Sequence, residues 1–449
     1  MPSSHPSDYL ALLSVCETTQ DPPGPCPILA IPTEITAQIF THCLPDSISP
    51  PDFDKAPLLL GRICSDWRAI AQDSPELWTS LKIARPDILV ELIETWLSRA
   101  GNLPLSLILE VSFFEEEWDS APYIDVLKVY SQTWRDVRLE LPSEQSLAKF
   151  GLDLHLPMLE CLAIDLLESP EDPVNVFRSA HALRHLILEE VIHPTAMSLP
   201  WVQLTCFESN TGALKAEDFM TILQYTPNIT KLGITIYNDT EVDRLPDVPP
   251  LMSLTSLSLC SSLLGSMDIL EHLSLPALQI LDLSSILFSG RELIPPLHRF
   301  LSQPGRRLRE LAMRIDGDKP LEEDFILLLE TQPTLQKFNL CEGSLDLLIA
   351  ICHRLNDGSP FLPRLTNLAA SPHIYPVEQI TSTFPVMLDV LVDALSTRWA
   401  APPELCAQIR TCTLSWSGVR TDDLDNIVGA FRPRQEELTA LGITMSVGS

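Results

Sequence analysis

Apolar residues recur along this chain in two alternating rhythms. One is a short phrase: an apolar anchor, two residues, an apolar residue, one residue, and a closing apolar residue. Alternate side chains of a strand point to opposite faces, so the phrase predicts a short strand with one buried face. It occurs at Trp134-Val137-Leu139, Leu159-Leu162-Ile164, Leu183-Leu186-Leu188, Trp201-Leu204-Cys206 and Ile229-Leu232-Ile234. It continues at Leu254-Leu257-Leu259, Leu278-Leu281-Leu283, Leu308-Leu311-Met313, Leu335-Phe338-Leu340 and Leu365-Leu368-Ala370. Weaker copies follow at Ile409-Cys412-Leu414 and Leu438-Leu441-Ile443. From Trp134 to Leu365 successive anchors lie 25, 24, 18, 28, 25, 24, 30, 27 and 30 residues apart. The second rhythm has helical period and fills the intervals, as at Ala216 to Tyr225, Glu292 to Leu301, Glu322 to Thr331 and Leu345 to Arg354.

One strand and one helix cannot bury their apolar faces alone, whereas stacked copies share a continuous core. The predicted fold class is therefore α/β: a solenoid over 134–449, with parallel strands on a concave face and helices on a convex one. The unit resembles the leucine-rich repeat in length and pattern. Prolines punctuate it: Pro157, Pro200, Pro227, Pro250, Pro276, Pro304, Pro333 and Pro363 each precede an anchor by one to four residues. There they stop a helix and extend the chain into the next strand. The Asn or Cys that bonds the turn eight residues after the anchor in regular repeats is missing; the positions hold Leu167, Val191, Tyr237, Ser262, Ile286, Asp316 and Gly343. The array is irregular.

The chain before residue 134 is organised differently. Residues 1–27 hold six prolines and read as a flexible leader. Residues 28–81 read as a three-helix unit. Pro32 opens a helix with Ile35, Ile39, Phe40, Cys43 and Leu44, which Pro45 ends; an insert at 46–55 follows. Pro57 opens a second helix with Leu58, Leu60, Ile63, Cys64, Trp67 and Ile70, and Ser74-Pro75-Glu76 starts a third with Leu77 and Trp78. So small a unit leaves apolar surface for something else to cover. Residues 82–133 read as a connecting helix (87–100), a strand (105–111) and a further helix that cap the solenoid.

Leu29-Ala30-Ile31-Pro32-Thr33-Glu34-Ile35, Ile39-Phe40, Ile63-Cys64, Trp67 and Leu77-Trp78 together resemble an F-box. With the Pro-rich insert, the Ser-Pro-Glu-Leu-Trp ending and Trp96 to Leu105, the phrase is similar to the F-box proteins expanded in mushroom-forming (basidiomycete) fungi. It departs from that pattern at Ile31, where Leu is usual, and in the insert. The resemblance implies that the F-box binds a Skp adaptor, which docks on a cullin–RING ubiquitin ligase, while the repeats capture a protein substrate. By matching position the adaptor contacts are Pro32, Ile35, Ile39, Phe40, Leu44, Leu58, Cys64, Trp67 and Trp78. The alternative is a repeat scaffold for protein interaction outside any ligase.

Composition narrows the partners. Of 449 residues 76 are leucine, and 60 acidic against 30 basic residues leave a formal charge of −30. That charge argues against nucleic acid and anionic membranes, both of which call for clustered Lys and Arg. The longest uncharged apolar stretch, Pro249 to Met267, carries six serines and two prolines and makes a poor spanning helix. No basic leader precedes an apolar run at the start, and 11 scattered cysteines without a CxxC pair suit reduced thiols, so a cytoplasmic or nuclear setting is expected and the sequons at Asn228 and Asn238 carry no weight. No phosphate loop, H-E-x-x-H or G-x-S-x-G occurs, and neither catalysis, cofactor nor metal is expected. His181 and His185 lack a shared helix, Glu115-Glu116-Glu117 reads as a solvated turn, and Asp422 to Asn426 lacks the glycine and closing Glu of a calcium loop. Substrate contacts are expected between the inward positions of the strands, at Arg138, Asp165, His185, Glu189, Phe207, Lys231, Asp282, Arg314, Lys337 and Asn339.

Overall fold

A computed structural model of the chain describes residues 31–111, 119–151, 154–166, 174–189, 197–237, 245–261, 267–284, 290–303, 307–315, 322–341, 345–371, 384–415, 433, 435–440 and 444–448. The expected leader, Glu115 to Glu117, Asn238 and the Asp422 to Asn426 run lie outside these residues, as do all the turn positions named above except Tyr237.

One parallel sheet of 14 strands, in strict sequence order, spans nearly the whole length. The strands are β1 (Ser80–Ile83), β2 (Leu105–Glu110), β3 (Trp134–Leu141), β4 (Cys161–Leu166), β5 (His185–Leu188), β6 (Cys206–Lys215) and β7 (Lys231–Tyr237). They continue as β8 (Ser256–Ser261), β9 (Ile280–Leu283), β10 (Glu310–Arg314), β11 (Lys337–Cys341), β12 (Asn367–Ser371), β13 (Thr411–Ser415) and β14 (Thr444–Gly448). Helices lie in the intervals, among them Ala216–Tyr225, Gly290–Leu301, Glu322–Glu330, Leu345–Asn356 and Phe384–Ala400. This is the α/β arrangement of a repeat solenoid.

Burial follows the period-two pattern. Register aligns Leu81, Leu107, Val137, Leu162, Leu186, Phe207, Leu232, Leu257, Leu281, Leu311, Phe338 and Leu368 in one row, every member buried. The anchors form a second buried row: Trp134, Leu159, Leu183, Leu204, Ile229, Leu254, Leu278, Leu308, Leu335, Leu365 and Ile409. Just after each anchor from Leu159 to Leu365 one carbonyl takes two amide protons from the next unit. Thr205 O accepts from the N–H of Thr230 (2.8 Å) and of Lys231 (3.0 Å), and Gln279 O from those of Arg309 (2.7 Å) and Glu310 (3.0 Å). Glu160, Arg184, Thr230, Thr255, Arg309, Gln336 and Thr366 repeat the arrangement. Threonine hydroxyls reinforce it, Thr230 Oγ1 donating to Thr205 O at 2.8 Å and Thr255 Oγ1 to Thr230 O at 3.0 Å. This ladder ties successive units at a fixed height.

Several sequence expectations are corrected. Register pairs Leu186 with Phe207, so the unit after Leu183 is Leu204-Phe207-Ser209 rather than Trp201-Leu204-Cys206, and the anchor spacings there become 21 and 25. The sheet begins at Ser80, not at Trp134: β1 and β2 are full members, and Trp78-Leu81-Ile83 repeats the strand phrase inside what reads as the helical unit. The last strand starts at Thr444, after the expected Leu438 phrase, with Met445 opposite Cys412. The expected second helix is two, α2 (Leu60–Ile63) and α3 (Ser65–Gln72), following α1 (Thr33–Thr41). The break is Cys64, extended at φ −156°, whose Sγ accepts the Trp67 N–H at 3.4 Å and caps α3.

Because the core is one continuous stack of side chains, truncation anywhere along it should be costly. Leu257→Ala, at a position 0% exposed, is expected to destabilise by about 2–5 kcal/mol. Val202→Ala, at 62% exposure, should change stability by less than about 0.5 kcal/mol. Urea unfolding followed by circular dichroism separates them; equal midpoints would contradict this account of the core.

Candidate functional site

Two surfaces expose chemistry: the open face of the sheet and the apolar side chains of the N-terminal helices.

On the open face, side chains between the inward positions line up across neighbouring strands. Near the N-terminal end the rows are charged. Arg138 on β3 bonds Glu140 Oε1 at 2.6 Å and reaches Glu189 Oε1 at 3.7 Å. Burial works to lower its pKa, but the Glu140 hydrogen bond and the charges of Glu140, Glu189 and Asp165 raise it above the usual arginine value. One guanidinium is thus shared among three carboxylates. Asp136 lies two residues before, taking hydrogen bonds from Arg135 Nε (2.9 Å) and Ser106 Oγ (3.0 Å). Burial opposes its ionisation, yet the bonds from Arg135, Cys161 and Ser106 hold its carboxyl below the ordinary range.

Next come Cys161, His185 and Cys206, adjacent on β4, β5 and β6. Cys161 Sγ lies 3.5 Å from His185 Nδ1. Burial and the neighbouring Asp136 push the Cys161 thiol up to about 12, and burial with Glu208 pushes Cys206 up to about 11. His181 sits in the turn before β5, off the strand that carries His185. Among the described residues no group of three or more His, Cys, Asp or Glu is placed to hold a metal ion.

From β6 to β13 the central row reads Glu208, Gly233, Ser258, Asp282, Ala312, Asn339, Ala369 and Thr413. Its small residues leave two hollows. One of about 360 Å³ lies over β6 to β9 and includes Gly233, Ser258 and Cys260. The other, about 340 Å³, lies over β9 to β13 and includes Ala312, Asn339, Asn367 and Thr413. Both are lined by Ile280 and Asp282. The lysines flanking them are paired: Lys231 Nζ with Glu208 Oε1 at 2.5 Å and Lys337 Nζ with Glu310 Oε1 at 2.7 Å.

Nine of the ten expected contacts therefore belong to this face: Arg138, Asp165, His185, Glu189, Lys231, Asp282, Arg314, Lys337 and Asn339 each stand at exposed or half-buried alternate positions. Phe207 does not. It is 0% exposed, in the row of Leu186 and Leu232, with its ring 6.0 Å from that of Trp201. The shifted frame at Trp201 concealed Glu208, the true outward residue of β6. Glu140 and Glu310 were legible as the outward neighbours of Leu139 and Leu311 but were not singled out.

The nine expected adaptor contacts divide likewise. Pro32 is exposed and caps α1 through its carbonyl, which accepts the Thr36 N–H at 3.0 Å. Ile35 and Ile39, four apart on α1, are 46% and 45% exposed. Leu44, Leu58, Cys64 and Trp67 are half-buried. Phe40 and Trp78 are core residues, and their expected surface role is corrected. Phe40 is buried with its ring edge-on to Trp67 at 4.9 Å. Trp78 occupies the first anchor position; its indole N–H donates to Ala71 O at 2.7 Å, Trp96 packs edge-on at 4.9 Å, and the Arg99 guanidinium lies 4.5 Å over its ring. Leu59 and Ile63, again four apart, are exposed apolar residues outside the expected set. Spacing marks such pairs as sharing a face, but only the packing shows that the face is outward.

No protein-family model matches the chain, and no curated protein matches it. Among solved structures, a crystal structure of a protein from Bacteroides fragilis is similar over 82% of this chain and 73% of its own, at 12% identity and a TM-score of 0.26. Likeness at that level says nothing of function. Among the described residues no helix is long and apolar enough to cross a membrane.

The thiols give a direct test of the electrostatics. The thiolate is the reactive form, so at pH 8 the raised values predict slow alkylation of Cys161 and Cys206 although both are half-buried rather than sealed. Iodoacetamide labelling read by mass spectrometry should show exposed Cys43 modified at least about tenfold faster than either, a gap that closes in denaturant. Equal native rates would refute the assignment.

Proposed function

We propose that residues 28–81 are an F-box and that the sheet is a leucine-rich-repeat array, the two making a substrate-recognition subunit of a Skp–cullin–F-box ubiquitin ligase. The observation that carries this reading is the outward apolar surface of α1 and α2. Ile35, Ile39, Leu59 and Ile63 are all at least 38% exposed on a helical segment of under fifty residues. Two side-chain pairs at four-residue spacing, left uncovered beside a long core, form an anchor for a partner's apolar groove. Half-buried Leu44, Leu58 and Trp67 border the segment's own core and add stem area at the rim. In this reading Phe40 and Trp78 hold the unit together and join it to the sheet.

The work of such a protein is tethering. A substrate held on the open face meets the ligase's ubiquitin-charged enzyme at raised local concentration, without a catalytic group on this chain. The length of the sheet suits that role, since it offers many aligned rows to one extended partner.

The test is co-purification of the full chain with a fungal Skp adaptor. The wild type should retain the adaptor, and Ile35→Asp/Ile39→Asp should weaken retention by at least about tenfold, about 1.4 kcal/mol, with an unchanged circular dichroism spectrum. Both substitutions fall on exposed positions, so loss of folding does not confuse the result. Failure of the wild type to bind, or equal binding by the double variant, would leave a scaffold outside any ligase as the surviving reading.

A further inference from the structure

The two hollows on the open face meet at one strand, β9, where Ile280 and Asp282 stand two residues apart on the same side. Ile280 is 36% exposed, a bare aliphatic surface in the floor of the trough. Asp282 Oδ1 accepts the Ser284 N–H at 2.9 Å and the Ser284 hydroxyl at 2.6 Å. Its other oxygen has no protein partner among the described residues, and no cation is paired with it. The nearest lysines in the trough are already taken: Lys231 is held by Glu208 and Lys337 by Glu310. After these pairings, Asp282 is the uncompensated charge at the junction of the two hollows.

An apolar surface and a free carboxylate at i and i+2 of one strand are about 6–7 Å apart. That matches an amphipathic side chain, which lays an aliphatic stem on apolar surface and carries its cation onward. We infer that Ile280 and Asp282 seat a lysine or arginine side chain of an extended peptide lying along the trough. The stem packs on Ile280 and the cation pairs with the free oxygen of Asp282. The ligand is a chain rather than a lone cation because the seat lies between hollows of about 360 and 340 Å³, each able to take neighbouring residues over Gly233 and Ser258 on one side and Ala312 and Ala369 on the other. The net charge of −30 favours approach of a basic segment but does not select the site. This inference rests on the proposed function only in taking the open face as the substrate surface.

Fluorescence anisotropy of the full chain with labelled Ala-Lys, Ala-Gln and Ala-Glu repeat decapeptides tests it. The Ala-Lys peptide should bind, with the other two at least about tenfold weaker. Asp282→Asn and, independently, Ile280→Ser should each weaken the Ala-Lys peptide severalfold. Asp125→Asn, at a carboxylate 71% exposed on the helix Ala121–Val129, should leave it unchanged. Equal binding by wild type and both seat variants would show diffuse attraction to an acidic protein and overturn the inference. So would no binding at all, or competition by spermidine as strong as by unlabelled peptide. Ile35→Asp/Ile39→Asp should keep the peptide. Its loss of adaptor with peptide retained supports both readings, while a wild type that binds the peptide and no adaptor fails the ligase reading alone.

Discussion

From Leu159 to Leu365, each unit of this chain is tied to the next by a carbonyl that accepts two amide protons, from Glu160 through Arg184, Thr205, Thr230, Thr255, Gln279, Arg309 and Gln336 to Thr366. The tie sits immediately after the buried anchor, so it fixes the height of every strand relative to its neighbour. Parallel strands are prone to slip where their sequences vary, and a slip of one residue would turn each buried leucine to solvent. Here both ends of the constraint agree: the anchors bury apolar surface and the carbonyls behind them hold the register. Units of unequal length, with anchors 21 to 44 residues apart between Trp134 and Ile409, can then stack, because most of the variation is carried in the connections.

The open face depends on that register. Rows of outward side chains exist only because residues from distant units stand abreast. Arg138, Glu140, Asp165 and Glu189 come from three strands, yet form one electrostatic group in which a single guanidinium serves three carboxylates. Farther along, Gly233, Ser258, Ala312 and Ala369 come from four units and make one trough. The C-terminal part shows how tightly the stack is fastened. Arg398, 2% exposed on the helix Phe384–Ala400, donates to the carbonyls of Phe361 (2.8 Å) and Leu362, closing that helix onto the turn before β12. A buried cation with carbonyl partners holds position at the expense of desolvation, and burial accordingly lowers its pKa.

Legibility in the sequence followed how local the cause was. The strand phrases and the helices between them were readable because their periods are carried by nearby residues. The misreading at Trp201 has a specific source. Trp201 and Leu204 are both buried and both apolar, so the phrase fits equally well three residues early. Only the pairing of His185 with Cys206 decides between them, and that pairing is non-local. Trp78 is the converse case: the F-box resemblance implied an adaptor contact there, while its place three residues before Leu81 makes it the first anchor of the sheet.

The amino-acid sequence by itself determined the class of the molecule. Stacked strand–helix units, the helical N-terminal segment and the outward places of nine of the ten open-face residues follow from periodicity, which side-chain geometry translates directly into a buried and an exposed face. Tertiary structure alone decided where the sheet begins, which aromatic residues are core, that Leu59 and Ile63 face outward, and that Ile280 and Asp282 lie between two hollows with the nearby lysines already paired. Those outcomes depend on contacts between residues in different elements, whose register and competition for partners no local pattern encodes.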